Sequence, residues 1–152
     1  VSEAMRISSH KLLLAAVPLL AAAAASAAEH KIECPVQLPQ DALQVVHPPS
    51  GWTAFVPTAL RLSSVTMMNG PPSKMAILKP DEIKQQKNKK KVSWLDLNDG
   101  PAPGGKWIAC NYGEGNNDVI LSRQIDDKTS QCTVTYSGTS PREYDITIAC
   151  DW

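Results

Sequence analysis

The sequence predicts an all-β fold, an antiparallel sandwich or small barrel of about seven or eight short strands stapled by two disulfides. Three observations predict it. Short runs alternate apolar and polar residues with a period of two. Turn-forming clusters separate them, notably Asn69-Gly70-Pro71-Pro72 and Gly113-Glu114-Gly115-Asn116-Asn117. Four cysteines form an even set, and nothing after residue 28 has the period of a long helix.

The elements follow in chain order. Arg6, His10 and Lys11 precede an apolar run over residues 12–25, and Ala25-Ser26-Ala27-Ala28 offers small residues for a peptidase. That is the pattern of a secretory signal peptide, so residues 1–28 are expected to be cleaved and residues 29–152 to form one β-rich domain. The apolar run is too short and too Ala-rich for a spanning anchor. No later stretch is apolar enough to cross a membrane, and Lys31-Ile32-Glu33 before Cys34 is no lipobox.

Residues 43–46 are a short strand candidate ended by Pro48-Pro49, and residues 51–56 carry Trp52 and Phe55. Residues 59–68 form a longer β run whose alternation slips at Ser63-Ser64, which predicts a bulge. Residues 75–78 and 92–97 read as strands, and the polar stretch 81–91 as a loop or helical turn. After the Pro/Gly-rich connection 96–105, residues 106–112 alternate, with Ile108, Cys110 and Tyr112 on one face and Trp107 and Ala109 on the other. Residues 119–125 follow, with Val119, Leu121 and Ile125 inward.

The last two strands decide the disulfides. Cys132, Val134 and Tyr136 share one face, as do Tyr144, Ile146, Ile148 and Cys150. A hairpin turning through residues 139–143 and pairing Gly138 with Tyr144 sets Cys132 opposite Cys150. Of the three connectivities open to four cysteines, this register favours Cys132–Cys150, leaving Cys34–Cys110 to tie the N-terminal segment to a central strand. A zinc site is excluded by the absence of any C-x-x-C pair.

Charge narrows the function classes. The chain of 152 residues carries 15 basic and 15 acidic side chains. Without Arg6, Lys11 and Glu3 of the leader it keeps 13 and 14. Such balance excludes a strongly basic nucleic-acid binder. The lysine-rich run 84–91 has no interleaved aromatic for base stacking and reads as a solvated loop whose lysines keep strand edges apart. Asp96-x-Asn98-Asp99-Gly100 starts like a calcium loop, but Trp107 stands where a bidentate Glu belongs. His47 lacks a catalytic companion at a recognisable spacing, and no G-x-S-x-G occurs. No catalytic residue, cofactor or metal site is expected.

Four tryptophans beside a single Phe are a skewed aromatic set. Core filling suits Trp52 and Trp94. Trp107, opposite Cys110 in the alternation, is a candidate interface anchor. The candidate partner contacts are Trp107, the turn Gly113, Glu114, Gly115, Asn116 and Asn117, and the lysines Lys87, Lys89, Lys90 and Lys91.

Cys34-Pro35, Gly51-Trp52, Asn69-Gly70-Pro71-Pro72, Leu78-Lys79-Pro80, Trp94, Trp107-Ile108-Ala109-Cys110-Asn111-Tyr112 and Cys132-Thr133-Val134 occur in that order. The series resembles a family of small exported proteobacterial proteins with no catalytic residues to carry over. The resemblance spans most of residues 29–152 and implies a periplasmic location in a Gram-negative cell.

Two expectations result. The first is a periplasmic, non-enzymatic protein-binding module, inhibitor-like or immunity-like, with an envelope protein as partner and no stable membrane insertion. The alternative is a small enzyme or ligand carrier acting on envelope glycans or lipids, which needs a concave pocket with convergent polar groups; a deep pocket lined by at least two acidic residues would favour the enzyme.

Overall fold

The structure, a computed structural model, describes residues 27–100, 102–114 and 118–152. Residues 1–26 of the expected leader lie outside the described residues. Among the described residues, nine strands follow one another: β1 (Glu29–Ile32), β2 (Gln37–Leu38), β3 (Leu60–Asn69), β4 (Glu82–Gln86), β5 (Lys89–Trp94), β6 (Lys106–Tyr112), β7 (Val119–Gln124), β8 (Gln131–Ser137) and β9 (Asp145–Asp151). They form a five-stranded sheet ordered β1-β9-β8-β5-β4 and a four-stranded sheet ordered β2-β3-β6-β7. All pairings are antiparallel.

The sheets pack face to face. Val92, Trp94, Cys132, Val134, Tyr136 and Ile148 of one meet Leu62, Val65, Met67, Ile108, Cys110 and Tyr112 of the other in one core. Each fully buried aliphatic side chain there contributes about 1.5–3 kcal/mol. A polar stitch crosses the same interface. The Tyr136 hydroxyl accepts from the Val65 amide at 3.1 Å and donates to the Val65 carbonyl at 3.3 Å.

Both disulfides form in the expected pairing. Cys132 lies directly opposite Cys150, and the two are bonded. Cys34 bonds Cys110 across 76 residues. β1 belongs to one sheet and β2 to the other, so Cys34 sits where the chain crosses between them. The Tyr112 hydroxyl donates to the Pro35 carbonyl at 2.8 Å, a second clamp on that crossing. The expected bulge in β3 is present, with the register shifting between Leu62 and Ser64.

Several expectations need correction. Residues 43–46 form no strand; they follow a short 3-10 turn, Gln40–Ala42, and no neighbouring strand pairs with them. Residues 75–78 supply only an isolated bridge, Ile77 to Met68, because Met75 closes a 3-10 turn with a left-handed φ of 50°. The stretch 81–91 is neither loop nor helical turn. It is a hairpin, with β4 and β5 joined at Lys87-Asn88. The strand expected at 92–97 starts earlier, at Lys89, and stops at Trp94; Asp96, with φ 51°, cannot extend it. β1 and β2 went unforeseen.

Two inward assignments also fail. Trp94 is buried and donates its indole N–H to the Leu78 carbonyl at 3.0 Å, but Trp52 is 75% exposed. Leu121 pairs with Cys110 and shares its face, yet β7 is an edge strand and the side chain is left 39% exposed.

Candidate partner-binding surface

β6 separates the expected contact residues. Trp107 is the second residue of the strand and pairs with Met68 and Gln124. It is half-buried, and its indole N–H donates to the Gly104 carbonyl at 2.6 Å. Its one polar atom is thus used by its own loop.

Gly113 and Glu114 follow the other end of β6. The Gly113 amide donates to the Arg61 carbonyl at 3.1 Å, holding the turn on the first residues of β3. Its φ of 106° and the Asp118 side chain, which a Cβ would strike, demand glycine. Glu114 pairs with Arg142 at 3.3 Å. Gly115, Asn116 and Asn117 lie outside the described residues.

The lysine hairpin reaches this same end. The Asn88 carbonyl at its tip accepts from the Gly138 amide at 3.0 Å, where β8 leaves for the connection that carries Pro141 and Arg142. Lys87, Lys89 and Lys91 are exposed. Lys90 differs: it pairs with Tyr136, and its ammonium stands 5.8 Å from that ring's centre. The structure therefore brings Gly113, Glu114 and the lysine tip together and leaves Trp107 at the far end.

Between these loops lies a cleft of about 560 Å3, lined by residues 58–63, Gly113, Glu114, Pro141 and Arg142. A second surface adjoins it. Leu38 of β2 pairs with Leu60 of β3, so the irregular excursion over residues 43–59 leaves and returns at one place. It presents Val45, Val46, Trp52 and Phe55, each more than half exposed. A turn shapes it, the Trp52 amide donating to the Pro49 carbonyl at 3.0 Å with Gly51 at φ 84°. A groove of about 660 Å3 runs along it.

The sequence reading missed this surface, because an apolar segment with two aromatics reads as core. Its long uncharged loop without alternation was the available signal.

A third cleft, about 270 Å3, opens near the Trp107 end. Each of the three has a single carboxylate among its described lining residues: Asp41, Glu114 and Asp127 respectively. No cluster of three or more His, Cys, Asp or Glu able to hold a metal occurs among the described residues. Burial holds the phenols of Tyr112 and Tyr136 above the usual tyrosine value. Both belong to the core rather than to these surfaces.

The family model described as the type VI secretion system Tli immunity protein matches residues 57–151. The chain belongs to this family. The match spans β3 to the last residue of β9 and contains every residue lining the Gly113–Arg142 cleft. Trp52 and Phe55 lie just before it. No curated protein and no solved structure matches the chain.

Proposed function

We propose that this Tli-family chain is an exported immunity protein. It binds a toxin delivered by a type VI secretion system and neutralises it by occupying the toxin's surface, without chemistry of its own. The family match over residues 57–151 carries the reading. The fold suits the task, since two disulfides and one closed core hold the loops at one end in fixed relation, so little ordering is lost on binding.

The working compartment is the periplasm. Two disulfides fit an oxidising space. The leader pattern ends at residue 28, and β1 begins at Glu29. No helix among the described residues is long and apolar enough to cross a membrane. The partner surface is the end bearing Gly113, Glu114, Arg142 and the lysine tip. A deep pocket lined by two carboxylates would favour the enzyme alternative; each of the three clefts carries one among its described lining residues.

Competition between sibling cells tests the reading. A recipient deleted for this gene should be killed by a type VI-armed parent, and the exported chain should restore its survival. The same chain without residues 1–28, kept in the cytoplasm, should not. Equal killing with and without the exported chain contradicts the proposal.

A further inference from the structure

Resting on the immunity reading, we propose that the excursion over residues 43–56 is a clamp for the toxin. It receives an apolar projection of that protein bearing one basic side chain. The apolar part lies against Val45, Trp52 and Phe55, and the cation meets the Asp41 carboxylate.

The partner's chemistry is argued from charge. Residues 42–60 contain no Asp, Glu, Lys or Arg, in a chain that is 20% charged. A neutral, exposed apolar stretch of this length favours an apolar partner. Among the described residues, Asp41 is the one charged residue lining the groove, and it has no ion-pair partner. A lone carboxylate in a groove that sets Gln40, Gln44 and Thr53 beside Val45, Trp52 and Phe55 selects a complementary cation and rejects an anion.

Charge argues for a protein rather than an anionic lipid surface, whose phosphates the Asp41 carboxylate would repel. The groove is open and about 660 Å3 in volume, room for a few side chains. The loop is also preorganised. Pro48, Pro49 and Pro57 restrict its backbone, and the turn at Gly51 fixes the approach to Trp52. Tryptophan in such a setting is the residue type most enriched among binding hot spots.

The clamp is continuous with the surface already described. The excursion rejoins β3 through Thr58, Ala59 and Leu60, which line the Gly113–Arg142 cleft. It lies outside residues 57–151, so the family-matched end supplies the common platform and the clamp supplies discrimination among toxins.

The sibling competition is repeated with exported variants of the full chain. Trp52 and Phe55 are about three-quarters exposed, so the W52S/F55S pair should fold and accumulate like the parent chain. Equal periplasmic abundance with both disulfides formed checks this. W52S/F55S and Asp41→Lys should each lower recipient survival at least tenfold, while Asp127→Lys at the far end should protect fully. Full protection by W52S/F55S and by Asp41→Lys overturns the clamp and leaves the immunity reading standing. Failure of the parent chain itself to protect removes the immunity reading, and the clamp with it. In a parallel arm the purified chain is sedimented with vesicles of phosphatidylethanolamine and phosphatidylglycerol. Co-sedimentation that W52S/F55S abolishes would make the occupant a lipid surface and overturn the proposal.

Discussion

At the residue scale, Tyr136 is the side chain whose environment is most fully determined. It is buried, and its hydroxyl serves both polar groups of Val65 on the opposing sheet. Tyr136→Phe leaves a buried amide and carbonyl without that partner, so it should cost about 1–3 kcal/mol in urea unfolding. The same burial predicts an alkaline limit. Desolvation, the largest cause, raises the Tyr136 phenol above 10.0; the Val65 hydrogen bond offsets part of that rise, and repulsion from Tyr144, the smallest of the three, adds to it. The folded state therefore holds the proton more tightly than the unfolded chain. The resulting stability is complete below pH 10 and is lost as the pH climbs from there towards the folded value. Unfolding midpoints followed from pH 8 to 12 should fall above 10, less steeply in Tyr136→Phe.

Residue identity alone made the core strands legible. Cys132, Val134 and Tyr136 alternate with Thr133, Thr135 and Ser137, and that alternation set both the buried face and the disulfide. Trp52 was illegible for the opposite reason. Its burial depends on whether another element covers it, and no local pattern encodes that.

At the element scale, the hairpin of β4 and β5 shows how charge hides a strand. Every residue of β4 is exposed. Lys84 stands opposite Lys91, an unfavourable pair eased by Glu82 at 2.6 Å from the Lys84 ammonium. An edge strand gains from such lysines, which discourage a second chain from pairing with its free backbone groups. With lysines on both faces the sequence shows no apolar alternation, and the stretch reads as a loop. Replacing Lys84, Lys87, Lys89 and Lys91 with Thr should change unfolding stability by no more than about 0.5 kcal/mol per site. It should promote self-association, seen by light scattering. Unchanged scattering would remove the protective role.

β7 teaches the same lesson at the other sheet. Its period of two was legible, but its edge position was not, and Leu121 is exposed as a result.

At the scale of the whole molecule, the two disulfides are unequal. Cys34–Cys110 closes 76 residues and fixes the crossing between sheets, whereas Cys132–Cys150 closes 18 within one hairpin. In the loop-closure account these stabilise by about 4.5 and about 3 kcal/mol. Replacing the first pair with Ala should therefore lower the urea midpoint more than replacing the second. The reverse order would indicate that the crossing is held mainly by the Tyr112–Pro35 hydrogen bond and the β1–β9 pairing. This fold was anticipated as a class because alternation and cysteine parity are local signals. The end-to-end split of the candidate contacts was not, since it depends on which strand neighbours which.

The central claim is neutralisation by occupancy. It is tested most directly by titrating the purified, oxidised chain against the type VI toxin of the strain that carries it, with toxin activity as the readout. Binding without chemistry predicts that activity falls linearly and vanishes near one chain per toxin. Undiminished activity at a tenfold excess, or complete loss at a small fraction of an equivalent, would contradict it.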